Sequence, residues 1–261
     1  MNTPSHSRWK LAIKTLPYVV VIILIKFLIH ELGYEFLSLN SLFTAIISAN
    51  IFLIGFLISG TLVDYKESEK LPGDLSASLE SMADEGFILY QSKKNKTAQQ
   101  YLDYILAFHD QLTKWFYHKT STSELMEKLQ GFNNYFLEFE KHTQANFIVR
   151  LKQEQNHIRK SLNRIHTIRE TYFMGTAYAI TEIITCVLIL GLILVKITPF
   201  YESIFFVSFV SFILIYMIYF IKDLDNPFAY QKEESQVDEV SLQPLIESKK
   251  RIEALKKLYL K

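Results

Sequence analysis

The sequence predicts an all-α membrane protein: four transmembrane helices arranged as two hairpins, with a cytoplasmic helical domain between them. Three observations point there. The 261 residues are 49% hydrophobic, and the apolar ones gather before residue 65 and again between 173 and 222. Such stretches suit a bilayer, which a helix of about 20 apolar residues can cross. The segment between them is charged and helix-like, and only 8 Gly and 6 Pro argue against a loop-rich or β-rich protein. The expected organisation is a first transmembrane hairpin over 1–65 and a cytoplasmic helical domain over 66–172. A second hairpin follows over 173–222, then a cytoplasmic tail with an amphipathic helix over 223–261.

The amino-terminal segment is polar and basic, with Arg8, Lys10 and Lys14. The first apolar run, Leu16 to Ile29, is interrupted by Lys26. Leu11 to Ile13 can lengthen it, with Lys14 and Lys26 expected to snorkel toward opposite surfaces. A basic front and a short apolar run also suit a signal peptide. The following HELGYEFLSLN offers no small-residue cleavage site, so a membrane anchor is expected. The loop from His30 to Asn40 carries Glu31 and Glu35 but no Lys or Arg.

The second span runs from Leu42 to Val63 and stops at Asp64-Tyr65-Lys66-Glu67. Ser41, Thr44, Ser48, Phe52, Gly55 and Ser59 recur three or four apart, so they share one helical face. Such a stripe turns toward protein or water, not lipid. Two readings stay open: tight packing between helices, or the wall of a pore. A third span is expected from Phe173 to Ile197 and a fourth from Ile204 to Ile221, joined by a turn containing Pro199. Glu182 is an intramembrane charge in the third span. It either faces a cavity or partner, or lies at the interface if the span starts near Ile183. Lys and Arg populate the amino-terminal segment, the middle region and the tail, and avoid the two short loops. Both termini and the middle region are therefore expected in the cytoplasm, in a multi-pass protein of the cell (inner or plasma) membrane.

In the middle region, Ala98, Tyr101, Leu102, Ile105, Leu112, Trp115 and Phe116 form one apolar face. Leu151, Ile158, Leu162, Ile165 and Tyr172 approximate a heptad seam. Helices with such faces must pack on each other or on neighbouring subunits. Gly131-Phe132-Asn133-Asn134 marks either a break or a tolerated helical glycine. Residues 231–240 are acidic and loop-like. A last amphipathic helix begins near Pro244, with Leu245, Ile252 and Leu255 on one side and Lys249, Lys250, Lys256 and Lys257 elsewhere.

The net charge of +1, with acidic and basic residues interleaved, gives no case for nucleic acid. There is no glycine-rich phosphate loop and no nucleophile elbow. Glu154 and His157 have the Glu-x-x-His spacing of di-iron bundles, but the second copy such sites need is absent. His109, His118, His142 and His166 lack metal-ligand spacing and read as surface or interface residues. The single cysteine, Cys186, lies in an apolar run and makes neither a disulfide nor a metal site. No catalytic residue, metal or cofactor is expected.

The order span, span, cytoplasmic helices, span, span resembles bestrophin channels and the broader bestrophin-like domain proteins. Phe52-Leu-Ile-Gly-Phe56, followed by Tyr65 and Glu69-Lys-Leu-Pro72, is similar to the second-span segment of animal bestrophins. Asp225-Asn226-Pro227-Phe228 resembles the exit motif that follows their fourth span. The resemblance implies a pentamer in membrane lipid with an axial pore for small anions such as chloride. Its neck would be lined by Ser48, Phe52 and Phe56, with Ser59 on the same side, and apolar rings there can gate by dewetting. The arginine-rich exit is missing, and Gln231 and Lys232 dilute the donors that calcium needs. The alternative function is a non-conducting, membrane-anchored scaffold or sensor that acts through its cytoplasmic helices. A carrier using Glu182 ranks below both, because residues 11–63 and 173–221 show no convincing repeat.

Overall fold

A computed structural model describes residues 9–94, 96–171, 175–230 and 239–259. In chain order the elements are α1 (Lys10–Glu31), β1 (Leu37–Ser38), α2 (Ser41–Ser68), α3 (Leu71–Lys93), α4 (Lys96–Phe116) and α5 (Thr122–Glu140). They continue with α6 (Ala145–Glu170), α7 (Gly175–Leu194), β2 (Val195–Lys196), α8 (Phe200–Asp225) and α9 (Gln243–Tyr259). Arg8, Tyr172, Phe173 and the run Gln231-Lys232-Glu233-Glu234 lie outside the described residues. Among the described residues, four helical stretches are long and apolar enough to cross a membrane; they contain α1, α2, α7 and α8. The chain forms two compact units. One comprises the described residues up to Tyr65 and those from Gly175 to Asn226. The other comprises Lys66 to Thr171 and the described residues from Pro227 on.

In the membrane unit, α1 packs chiefly on α8. The residues it buries, Leu11, Thr15, Val19, Ile22 and Lys26, recur every three or four positions, as one helical face must. Ser203 and Ser211 of α8 are fully buried, and small residues let helix backbones approach where lipid supplies no hydrophobic drive. α2 contributes Ile54 and Leu57 to a cluster with Leu188 of α7 and Leu214 and Ile221 of α8. Asn50 Nδ2 donates to Thr185 Oγ1 across α2 and α7 at 2.9 Å. Gly191 is required by the same approach, since a Cβ there would stand 2.7 Å from the Phe43 ring. Buried Thr15 and Thr61 return their hydroxyls to the carbonyls of Leu11 and Leu57, at 2.8 and 3.0 Å, which satisfies these two donors among apolar groups.

Two corrections concern the loop end of this unit. The third span was expected to run helically to Ile197, but α7 stops at Leu194. Leu37 pairs with Val195 and Ser38 with Lys196 as a short parallel ladder, which satisfies backbone groups that a longer helix would leave at its end. This ladder also places both interhelical loops at one end of the unit. Lys26, expected to snorkel, is instead fully buried.

The second unit is a helical domain with an aromatic core. Tyr101, Phe108, Trp115, Phe132 and Phe139 are all at most 1% exposed. Rings meet edge to face, as for Tyr104 and Phe132 at 4.8 Å and 88°, the arrangement ring quadrupoles favour. The faces read from α4 and α6 are the buried ones: Leu102, Ile105 and Leu112, and Leu151, Ile158, Leu162 and Ile165. α5 runs unbroken through Gly131. A Cβ at Gly131 would collide with the Tyr104 hydroxyl, which donates to the Lys128 carbonyl at 2.7 Å. Ser121 and Glu124 close a reciprocal cap at the start of α5. α9 lays Leu245 and Ile252 on α3 and α4. Its basic residues pair with acidic ones beyond that stripe: Lys249 with Asp110, Arg251 with Glu80 and Lys256 with Asp103.

Candidate functional site

α2 has two contrasting faces. Asn50, Ile54, Leu57 and Thr61 are buried against the rest of the membrane unit. Ser48, Phe52, Phe56 and Ser59, the residues expected to line a pore, are all exposed in the single chain. Phe52 is 74% exposed and Phe56 54%, one turn apart on the same side. Ser48 turns its hydroxyl back to the Thr44 carbonyl at 2.9 Å, which lowers its polarity toward the surroundings. Leu53, the neighbour of Phe52 on a different face, is half-buried.

At the loop end, Lys26 projects from α1 into a cluster that sequence reasoning missed. Its ammonium lies 2.6 Å from Glu35 Oε1 and donates to the carbonyls of Ile193 and Val195 at 3.1 and 2.5 Å. Two of its donors thus meet carbonyl oxygens, and its charge faces the Glu35 carboxylate. Ile193 is in the last turn of α7, where the helix dipole favours a cation. Glu35 also accepts from His30 Nδ1 at 2.9 Å, and the His30 ring stacks on Phe200 with centroids 3.7 Å apart. Burial pushes the Glu35 carboxyl upward. Hydrogen bonds from Lys26 and His30, with their charges, outweigh this and hold it below the usual carboxylate range. The available signal was one lysine inside an apolar run, followed by a loop with acids and no bases.

At the opposite end of α7, Glu182 is not isolated. Lys222 of α8 reaches its Oε1 at 2.7 Å. Both side chains are about half exposed and border a pocket with Gly175, Tyr178, Asp225 and Asn226. A carboxylate in an apolar stretch is costly alone, and a lysine partner offsets part of that cost. The exit motif divides by role. Asp225 and Asn226 line that pocket, with the Tyr178 hydroxyl within electrostatic reach of Asp225. Phe228 is fully buried in the helical unit, 6.0 Å from the Phe116 ring. The Pro227 carbonyl accepts a hydrogen bond from the Val240 amide at 3.0 Å.

The histidines have separate surroundings. His109, expected at a surface or an interface, is 1% exposed where α4 meets α9, so the surface alternative falls, and burial holds it below the usual imidazole range. His118 meets the Arg169 guanidinium, and His166 faces Thr122 Oγ1 at 3.3 Å. His142 and His157 are exposed. Among the described residues no group of three or more His, Cys, Asp or Glu is placed to hold a metal ion.

Several solved structures share this fold. A bacterial bestrophin homologue from Klebsiella pneumoniae, carrying a tyrosine-to-alanine substitution, matches with a TM-score of 0.72 and 14% identity over 98% of this chain and 100% of that one. A tryptophan-to-alanine variant of a Klebsiella pneumoniae bestrophin homologue matches with a TM-score of 0.77 and 12% identity over 99% and 100%. A third structure of such a homologue, phased on zinc, gives 0.72 and 14% over 92% and 97%. At these identities the likeness is one of fold: the chain is a membrane protein with a bestrophin-like fold. No protein-family model matches the sequence, and no curated protein matches it.

Proposed function

We propose that this chain assembles into a bestrophin-like oligomeric channel that passes small anions, such as chloride, passively through the membrane. The observation that carries the reading is the uncovered face of α2. One side of this helix is packed on its own unit, while Ser48, Phe52, Phe56 and Ser59 face outward. Serines flanking two phenylalanines suit a narrow axial passage better than lipid, since polar residues in spans usually face protein or water. In a ring of copies, taken as five by resemblance, Phe52 and Phe56 form an apolar neck that sheds water when it narrows. Ser48 and Ser59 line its two sides. The spans form two hairpins in the cell membrane, with both termini and the helical unit in the cytoplasm. This follows from the basic flanks, and the helical unit then forms the vestibule. Glu182, neutralised by Lys222, holds α7 to α8 and takes no part in coupled transport. No residue acts catalytically.

The test is purified full-length protein in planar bilayers under separate chloride and sodium gradients. Current reversing near the chloride equilibrium potential is expected. Silence in wild type and in Phe52→Ala alike, from protein that assembles normally, would leave the scaffold function in its place.

A further inference from the structure

Away from the pore face of α2, the membrane unit carries two cavities that share one side chain. The first is a trough of about 650 Å³ between α1, α7 and α8, walled by aliphatic residues such as Val21, Ile25, Ile189, Ile215 and Ile218. It extends along α7 from Glu182 to Ile193, about 16 Å at the helical rise. The second is the polar pocket of about 500 Å³ that holds Glu182, Lys222, Asp225, Asn226 and Tyr178. Glu182 borders both. The result is a long apolar channel ending in a small charged chamber, at the end of the unit where Lys14 lies 4.3 Å over the Tyr219 ring.

We propose that the two cavities form one site for a membrane amphiphile whose headgroup carries a primary ammonium next to a phosphate, with an acyl chain laid along the trough. Phosphatidylethanolamine has this chemistry. Charge selects the headgroup. The pocket holds two carboxylates and one lysine, so a purely anionic headgroup meets a net negative chamber. An ammonium with N–H donors can bond Glu182 and Asp225, while its phosphate faces Lys222. A trimethylated nitrogen has no N–H to give. The trough selects the tail, because its wall is predominantly apolar, with aliphatic residues from all three helices. Occupancy would tie the Glu182–Lys222 pair, and so the α7–α8 contact, to the lipid composition of the membrane.

The experiment uses the full chain reconstituted in vesicles of equal parts phosphatidylethanolamine, phosphatidylcholine and phosphatidylglycerol, then re-extracted in mild detergent. Mass spectrometry of co-purified lipid should show phosphatidylethanolamine enriched about tenfold over the other two, the ratio expected when one charged hydrogen bond is gained. The double variant Glu182→Gln, Asp225→Asn should lose the enrichment. Capping Cys186, which lines the trough, with a bulky maleimide in detergent should lose it without any mutation. Soluble glycerophosphoethanolamine should not compete, because it has no tail. Lipid ratios equal to the input would overturn the proposal and fit a second copy of the chain filling the trough. So would enrichment of phosphatidylglycerol, enrichment that survives the cap, or competition by the soluble headgroup. Should the double variant fail to assemble, mono- and dimethylated ethanolamine lipids on the unaltered protein decide. Retention must fall as N–H donors are replaced.

Discussion

In the membrane unit the buried side chains include Thr15, Lys26, Asn50, Thr61, Ser203 and Ser211, while Leu24, Phe52, Phe205 and Phe209 point outward. The helical unit also buries a few polar side chains, His109 and Gln155 among them, but its interior is dominated by large apolar ones. Tyr101, Phe108, Leu112, Trp115 and Phe132 fill the interior, and the ion pairs of Lys249, Arg251 and Lys256 lie at the surface. Both units are helical, and both place residues three and four apart on one face. The difference is the solvent each exterior suits. Where water surrounds a helix, burying apolar area drives packing at about 25 cal/mol per Å². Where lipid surrounds it, that drive vanishes, and close approach through small residues and interhelical hydrogen bonds hold the helices together, while hydroxyls returned to their own helix satisfy buried donors. A charged pair is thus buried in the membrane unit, Lys26 with Glu35, while the ion pairs of α9 lie at the surface of the helical unit.

The sharpest way to break this contrast is Lys26. Lys26→Ala strands Glu35 among buried groups and two carbonyls without their donor, and should cost about 3–5 kcal/mol, seen as lost yield and a lower unfolding temperature in detergent. The double variant Lys26→Met, Glu35→Gln should recover most of that loss. If the single change is silent, the buried cluster is not structural and the contrast fails on its membrane side. In the helical unit a truncation of similar size requires an apolar target. Phe108→Ala should cost about 3–5 kcal/mol through the cavity it leaves, measurable by chemical unfolding.

Phe52→Ala tests the outward-facing aromatics. Because Phe52 is 74% exposed, truncation should leave the single chain's stability nearly unchanged while raising open probability or conductance in the bilayer assay. Leu53→Ala, on a different face, should not open the channel. The opposite pattern would show that the face has been misassigned.

Smaller effects sharpen the helical side. Ser121→Ala removes the cap of α5 and should cost about 1 kcal/mol. Glu67 accepts from Arg164 at 3.0 and 2.6 Å, and this pairing holds its carboxyl below the usual 4.5. A depressed folded-state value means the unfolded chain binds the proton more readily. The stabilisation is therefore present above pH 4.5 and is lost as pH falls below it through the folded value. Both side chains are more than a third exposed, so the loss should stay within about 1 kcal/mol and shrink in salt. Unfolding temperature against pH, with Arg164→Ala as the comparison, reads it directly.

The sequence by itself determined that four apolar helices could cross a membrane, which faces of α4 and α6 would be buried, and which fold the chain resembles. These are local properties. Hydropathy and the 3.6-residue period are written in consecutive residues, and they survive whatever the chain does elsewhere. Tertiary structure alone decided the partners of the charges. Lys26 meets carbonyls 167 and 169 residues away, and Glu182 meets Lys222 on another helix. It also ended the third span at Leu194, because the carbonyls and amides beyond that point found partners in Leu37 and Ser38. On α2 the periodic stripe was legible as a face, but only the positions of α7 and α8 decided that Asn50, Ile54 and Leu57 would be covered and Phe52 and Phe56 left outward. A charge or a stripe declares that it needs a partner, while the identity of that partner depends on distances between segments far apart in the chain.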